Sequence, residues 1–481
     1  MSYRPLSAVV LAAGEGTRMR SATAKVLHTL CGRPMISYVV EALGELPLER
    51  IVIVVGHGAE DVVKTLQEQL VADARVEFVE QRAPRGTGDA ASVGLTAFDD
   101  AIDGEDDVLI LAGDVPLLRA DTLAALTTEH RLAEATATML TAHLDDPTGY
   151  GRVIRDARGI VERIVEERDA NDAERAITEV NPSIYCFRRG LLAPALRRII
   201  PDNLQGELYL TDVIAVLRQA GHEVLAVAAP DSNETLGVND RAQLAHAEAV
   251  LRARINDRWM RDGVTMRDPE RTYVDATVEV APDVTLLPGV SLEGRTVVGT
   301  GSVIGPDCRL VDTIVGERCS IQQTVARESE IGDGCTVGPW ASLRPGTRLA
   351  SDVHVGTFVE IKNSEIGEGA KVPHLAYVGD AEVGPRANIG AGTITANYDG
   401  RGKHRTKIGA DAHTGSNTVL VAPVELGDGA YTGAGAVVNR DVPPGALARG
   451  VPARIEEGWV AAREARENSE KRSDAPDHEA G

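Results

Sequence analysis

Two periods of apolar and polar residues divide the chain. From the amino terminus, short apolar runs alternate with stretches patterned as helices: Ala8 to Ala12, then Pro34 to Leu43, Ile51 to Val55, and Glu60 to Leu70. Buried runs alternating with amphipathic ones predict βα units, whose strands lie in a mainly parallel sheet with helices on both faces. Val108 to Leu111 continues the series as a buried strand ending at Gly113-Asp114. Ligands of such sheets gather beyond the carboxyl ends of the strands, where Gly14 and Asp114 both fall.

A long amphipathic helix follows, from Arg241 to about Asp262, with Leu244, Ala247, Val250, Leu251 and Ile255 on one side and Gly263 as its stop. Beyond it Ile331, Val337, Leu343, Leu349, Val355 and Ile361 recur every six residues, and the same register returns at Val278–Val290, Ile366–Val378 and Ile408–Val438. Neither a helix nor an isolated strand has period six. A coil of three short strands does, each turning one aliphatic residue inward and joined by turns such as Ile331-Gly332-Asp333-Gly334. Residues 395–407 interrupt the register with a polar string, and insertions in a solenoid become loops on one face, commonly the binding face. The organisation expected is an α/β domain over 1–240, a linker helix over 241–262, a β-helix over 263–455, and a frayed helix with a disordered tail over 456–481.

Composition supports this division. A chain of 481 residues exceeds one ordinary core, and 3% aromatic content suits narrow, repetitive interiors. A formal charge of −22 excludes nucleic acid and anionic membrane as main partners, so the few cations near a glycine-rich turn carry information. Cys31, Cys186, Cys308, Cys319 and Cys335 have neither CxxC nor metal-ligand spacing and read as reduced core fillers. The run Leu6 to Ala13 passes straight into Gly14-Glu15-Gly16-Thr17-Arg18, which fits a buried strand rather than a leader peptide, and no stretch reaches membrane-spanning length. A cytoplasmic enzyme is expected.

Leu11-Ala12-Ala13-Gly14-Glu15-Gly16-Thr17-Arg18-Met19, with Lys25 beyond, is a strand entering a glycine-rich turn that carries two cations. Such a turn brings backbone N–H groups to phosphate, while Arg18 and Lys25 neutralise charge on departing pyrophosphate. The string resembles the signature of the sugar-phosphate nucleotidylyltransferases, with Ala24 where that family usually has Pro. The resemblance implies a Rossmann-like nucleotidyltransferase fold and Arg18 and Lys25 as catalytic groups. It further implies a UTP and UDP-sugar site built from Leu11, Ala12, Ala13, Gly14, Lys25, Gln81, Gly86, Thr87, Ala112, Gly113, Asp114, Gly151, Glu166, Asn181 and Asn239. Asp114 and Asn239 would hold Mg²⁺, which takes one or two protein oxygens together with phosphate oxygens. Pro182 after Asn181 removes a backbone donor present in the family.

Within the repeats, Arg344, Glu360, Lys362, His374, Tyr377, Asn388, Asn397 and Tyr398 break the aliphatic and small pattern. Their order and local strings, with the first half, resemble the bifunctional enzymes joining glucosamine-1-phosphate N-acetyltransferase to N-acetylglucosamine-1-phosphate uridylyltransferase, over roughly residues 6–455. The resemblance implies a left-handed parallel β-helix of hexapeptide repeats, a homotrimer with shared acetyl-transfer sites, and His374 as general base. Arg344, Lys362, Tyr377 and Asn388 would bind the amino-sugar phosphate, and Ala391, Asn397, Tyr398, Ser416, Ala434 and Arg449 acetyl-CoA. Glu360, close to His374 in the motif, is expected to orient it. The implied reactions are acetyl transfer to glucosamine-1-phosphate and then uridylyl transfer from UTP, supplying cell-wall precursor. Two other readings are a nucleotidyltransferase with a structural or regulatory β-helix, and a non-catalytic exchange-factor subunit of the translation machinery.

Overall fold

The computed structural model describes residues 4–69, 75–98 and 106–473. Two compact units divide at 251/252. The first is built on a ten-stranded sheet. Val76–Glu80, Arg50–Val55, Leu6–Ala12 and Asp107–Ala112 run parallel in that order, with Leu6–Ala12 at the centre. Beyond Asp107–Ala112 the sheet turns mixed: Ile184–Arg188 enters antiparallel, and Gly151–Arg155 and Val161–Val165 pair as a hairpin. The tight connection at Asp156–Ile160 cannot make the long crossover that parallel pairing requires.

Side chains alternate across each strand, so Leu6, Ala8, Val10 and Ala12 face one layer with Val39, Val40 and Leu43 of helix Met35–Gly44. Val9, Val52, Val54, Val108 and Ile110 face the other, against Ala90, Ala91, Leu192, Leu196 and Val213. Helices therefore cover both faces, as the apolar runs require. Strand and helix limits differ from the sequence reading by a residue or two, and the helix read to Leu70 spans Ala59–Gln69, residue 70 lying outside the described residues. Helix Arg241–Arg261 follows, and Gly263, at φ +96°, ends it.

The second unit carries three flat parallel sheets, of which the longest has ten strands. Leu286, Ile304, Ile321, Val337, Val355 and Val372 stack in one sheet, each in register with the next. Leu292, Leu310, Ala326, Leu343, Ile361 and Val378 stack in the second. All twelve are buried, which makes the period-six positions the continuous core of the solenoid.

The interruption proves narrower than residues 395–407. Thr395 keeps its place in strand Ile394–Ala396, opposite Leu420, and its hydroxyl accepts the Gly379 N–H at 2.7 Å. A threonine thus fills an aliphatic position because a neighbouring backbone donor satisfies it. The excursion runs from Asn397 to Arg405, after which Thr406–Ile408 resumes the ladder. Helix Trp459–Ser473 follows the coils, and the tail at 474–481 lies outside the described residues.

Candidate functional sites

In the α/β unit, strand Leu6–Ala12 delivers Ala13 and Gly14 to the carboxyl edge, and Asp107–Ala112 delivers Gly113 and Asp114 beside them, Gly113 N–H bonding Leu11 C=O at 2.9 Å. The intervening loop folds back on itself at Gly16, where φ is +60° and a Cβ would stand 2.7 Å from Lys25 Cβ. That turn places the Lys25 ammonium on the Asp114 carboxylate. Lys25 Nζ also donates to Asn239 Oδ1 at 3.2 Å, and Arg18 Nη2 donates to the same oxygen at 3.0 Å. Four side chains named from the sequence thus converge, although Asn239 is 125 residues beyond Asp114. Val238 N–H on Asp114 C=O at 2.9 Å fastens the two segments. Ala24 is buried and caps the single turn Lys25–Leu27, so the absence of proline leaves this turn formed.

The remaining positions make contacts of their own. Gln81 Nε2 donates to Gly86 C=O at 3.2 Å and to Asp89 Oδ2 at 2.8 Å, tying Gln81 to the start of helix Thr87–Leu95, and the Thr87 hydroxyl accepts the Leu210 N–H at 3.0 Å. Gly151 and Glu166 are adjacent: a Cβ on Gly151 would lie 3.5 Å from either Glu166 carboxylate oxygen. Glu166 accepts from the Thr211 hydroxyl at 3.1 Å, and burial, reinforced by Asp212 and Asp169, pushes its carboxyl above the usual range. Asn181 is buried, and its Oδ1 accepts the Ser183 N–H at 3.3 Å, the donor beyond the one Pro182 lacks. Tyr150 was not singled out in the sequence; its phenol oxygen accepts the Gly237 N–H at 3.1 Å and so braces the segment leading to Asn239.

In the β-helix the candidate residues fall at two corners of the coil. Along one, His374 C=O accepts the Gly392 N–H, Ala391 C=O the Asn417 N–H, and Ser416 C=O the Gly435 N–H, so the corners bearing His374, Ala391, Ser416 and Ala434 stack in consecutive coils. A Cβ on Gly433 would lie 3.3 Å from Arg449 Cβ, which places Arg449 on the next coil of the column.

The other corner gathers cations. Arg344 Nη1 donates to Glu360 Oε1 at 2.8 Å. Lys362, Asn363 and Asp380 lie beside them, Asp380 accepting from Asn363 Nδ2 at 2.6 Å and from Asn397 Nδ2. Tyr377 reaches over Gly379, where a Cβ would stand 2.3 Å from the phenol oxygen, and that oxygen accepts from Asn397 Nδ2 at 3.4 Å. Asn397 therefore belongs to the cationic corner, while Tyr398 beyond it is exposed.

Two residues lie, within one chain, apart from the groups expected beside them. Glu360 pairs in register with Tyr377, whereas His374 pairs with Thr357 in a different sheet, so within one chain Glu360 holds Arg344 and lies apart from the imidazole. Asn388 bridges Lys371 and His413 on the sheet face before His374, apart from Tyr377. One residue goes unassigned in the sequence reading: Lys403, carried by the excursion and anchored by the Tyr398–Lys403 bridge. Lys362 beside it pushes the Lys403 ammonium below its ordinary pKa. Two like charges held together beside the single Asp380 carboxylate leave a net positive corner, a place for an anion. The signal available was the register break itself.

Residues 8–203 match the MobA-like NTP transferase domain family, 270–366 the GMPPB C-terminal domain, and 405–440 the bacterial transferase hexapeptide family of six repeats. The bifunctional protein GlmU of Streptomyces avermitilis is 49% identical over 463 residues, covering 96% of this chain and 95% of that protein. That of Streptomyces coelicolor is 49% identical over 482 residues, with 100% and 99% coverage. The chain belongs to the GlmU family. The GlmU protein of Heliobacterium modesticaldum, 49% identical over 442 residues with 92% and 94% coverage, extends the likeness beyond the streptomycetes. As a GlmU-family member the chain is a bifunctional enzyme, a uridylyltransferase and N-acetyltransferase, with a left-handed parallel β-helix as its second fold. The readings with a merely structural β-helix or a non-catalytic subunit are thereby set aside.

Proposed function

We propose that the β-helix transfers acetyl from acetyl-CoA to glucosamine-1-phosphate and that the α/β unit transfers uridylyl from UTP to the resulting N-acetylglucosamine-1-phosphate. The observation carrying the second reaction is the convergence of Arg18, Lys25, Asp114 and Asn239 at the strand ends. The sugar phosphate is already anionic at neutral pH, so its oxygen attacks the α-phosphorus without a general base, the α–β bridge breaks, and pyrophosphate leaves. Arg18 and Lys25 neutralise the charge that accumulates on it. A carboxylate oxygen and an amide oxygen turned toward one ammonium form a donor set suited to a hard divalent cation, and Asp114 and Asn239 would hold Mg²⁺. That ion would supply further neutralisation of the triphosphate. Gln81, Gly86 and Thr87 take the base, and Gly151, Glu166 and Asn181 the sugar.

In acetyl transfer, His374 removes a proton from the sugar ammonium, the freed amine attacks the thioester carbonyl, and the carbon–sulfur bond breaks, the departing coenzyme A thiolate taking up the second proton shed by the nitrogen. Arg344, Lys362 and Lys403 bind the phosphate. The two corners support a homotrimer: from Leu375 to Asp380 the chain advances about 3.3 Å per residue, roughly 16 Å in all, so one coil keeps base and phosphate site apart, and a neighbouring copy can close the distance. Among the described residues no helix is long and apolar enough to cross a membrane, which accords with a cytoplasmic enzyme.

The test is to assay the purified chain with glucosamine-1-phosphate, acetyl-CoA, UTP and Mg²⁺, omitting each in turn. His374→Ala abolishes coenzyme A release and leaves pyrophosphate release intact, and Asp114→Ala does the reverse. Loss of both activities in His374→Ala would refute two separate sites. Sedimentation equilibrium gives three chains per particle if the trimer is right.

A further inference from the structure

The loop from Gly14 to Gly32 has little regular structure of its own: two single helical turns, Thr17–Met19 and Lys25–Leu27, and a two-residue ladder between Thr29–Leu30 and Arg33–Pro34. Loops so built open locally unless something outside them holds them. The start of helix Arg241–Arg261 does so at three places.

Asn239 receives Arg18 and Lys25, and is itself fixed by a cap in which its N–H donates to Gln243 Oε1 at 2.8 Å while Gln243 N–H donates to Asp240 Oδ1 at 2.9 Å. Arg241 Nε donates to Met19 C=O at 3.3 Å, and its Nη1 lies 3.3 Å from His28 Nδ1. Burial and the Arg241 guanidinium hold the His28 imidazole below its ordinary pKa, which favours the neutral ring, and the guanidinium, a donor only, calls for the tautomer with Nδ1 bare. Two turns further along the helix, Glu248 Oε2 accepts the Cys31 N–H at 2.9 Å, where φ is +41°.

The geometry points to Arg241 and Glu248 as positioning residues of uridylyl transfer, a strap that holds the Arg18–Lys25 loop against the Asp114–Asn239 pair. Both act through the loop. Their contacts fall immediately after Arg18 and on either side of the turn that carries Lys25, so releasing them lets the two cations drift from where charge develops. A displacement of an ångström at such groups costs up to about 100-fold in rate. The assignment rests on the reading of this loop given under the proposed function, and the experiment separates the two.

The full chain carries its own control, because acetyl transfer reports folding of the same sample. Arg241→Ala, Arg241→Lys, Glu248→Ala, Glu248→Gln and Asp114→Ala are assayed for pyrophosphate release from UTP, N-acetylglucosamine-1-phosphate and Mg²⁺, and for coenzyme A release. Arg241→Ala and Glu248→Ala lower the uridylyl-transfer kcat by about 10- to 100-fold, with the sugar-phosphate KM within twofold and acetyl transfer unchanged. Glu248→Gln recovers most of kcat, because an amide oxygen still accepts the Cys31 N–H, and Arg241→Lys recovers part. Wild-type kcat in both alanine variants overturns the strap. So does a kcat loss that follows the unfolded fraction in calorimetry, with Glu248→Gln no better than Glu248→Ala. An inactive Asp114→Ala beside unaffected strap variants overturns the strap alone, whereas an active Asp114→Ala overturns the site assignment beneath it.

Discussion

Gly356 ties the packing of the β-helix to its chemistry. It lies in strand His354–Thr357, opposite Pro373 in Lys371–His374, where Val355 faces Val372 and Thr357 faces His374. Pro373 has no N–H for the ladder, and its carbonyl drops over Gly356. A Cβ at 356 would stand 1.9 Å from Pro373 O and 2.7 Å from its carbonyl carbon. Real Cβ contacts do not fall below 3.0 Å, so Gly356→Ala must part the two strands by about 1.1 Å at the residue preceding His374. Overpacking of this kind costs about 1–3 kcal/mol. Because the shift is passed to the imidazole, the kcat of acetyl transfer falls by about 10- to 100-fold. Uridylyl transfer in the same sample is unchanged, since the contact is internal to the solenoid. The assay is coenzyme A release against pyrophosphate release, with calorimetry for the shift in unfolding. A Gly356→Ala chain with acetyl-transfer kcat within twofold and unaltered unfolding would refute the transmission of packing to the base.

Lys403→Ala raises the KM for glucosamine-1-phosphate by about 10- to 100-fold, as loss of a charged hydrogen bond does, and leaves that for acetyl-CoA unchanged; equal effects on both would remove Lys403 from the phosphate site. Ile361→Ala opens a cavity between Leu343 and Val378 in the ladder and destabilises the β-helix by about 2–5 kcal/mol, read as a lowered denaturation midpoint; no change would mean the column is not a continuous core. Glu166→Gln tests the buried carboxyl. Its folded pKa is raised, so the charged form destabilises the fold, and the stability present below the usual carboxylate range is lost as pH rises through the folded value. The glutamine variant therefore unfolds at a higher temperature than wild type at pH 8, by a margin that shrinks toward pH 4, and a pH-independent margin would contradict the account.

How much was legible follows from the range of the signals. The unbroken apolar run in Leu6–Ala12 and period six from Ile331 to Ile361 are local, and each states which side chains must be buried, so layers and coils could be read directly. Arg18 and Lys25 were legible because their loop is one continuous string. What joins them to Asn239 is not local: the Val238–Asp114 backbone bond and the Tyr150 brace arise only once the sheet brings distant strand ends together. Glu360 shows the converse. Fourteen residues from His374 in sequence, it sits in another sheet, because each coil turns a corner within that span, and its charge goes to Arg344 on the preceding coil. In a solenoid, proximity in space runs between residues about one coil apart on the same face. That rule, applied to Lys362, leads to Asp380, and the register break then leads to Asn397 and Lys403.

The charge of −22 gives these clusters their form. A free cation on so acidic a surface would be drawn to whichever carboxylate lay nearest. At the strand ends of the α/β unit each cation has an oxygen partner that fixes its place: Lys25 on Asp114 and Arg18 on Asn239. Lys362 and Lys403 are instead pressed on each other beside an Asp380 whose oxygens amides already occupy. The first arrangement holds cations ready for a ligand that must displace or join an oxygen partner, which suits a triphosphate arriving with a divalent ion. The second sets two like charges beside a single carboxylate and leaves the cluster net positive, so a bare sugar phosphate relieves their repulsion on binding. Raising ionic strength should therefore weaken glucosamine-1-phosphate binding more than UTP binding at saturating Mg²⁺, because salt ions screen the net positive lysine cluster directly. Equal salt dependence of the two KM values would mean that the pairing seen around each cluster does not govern how its ligand is held.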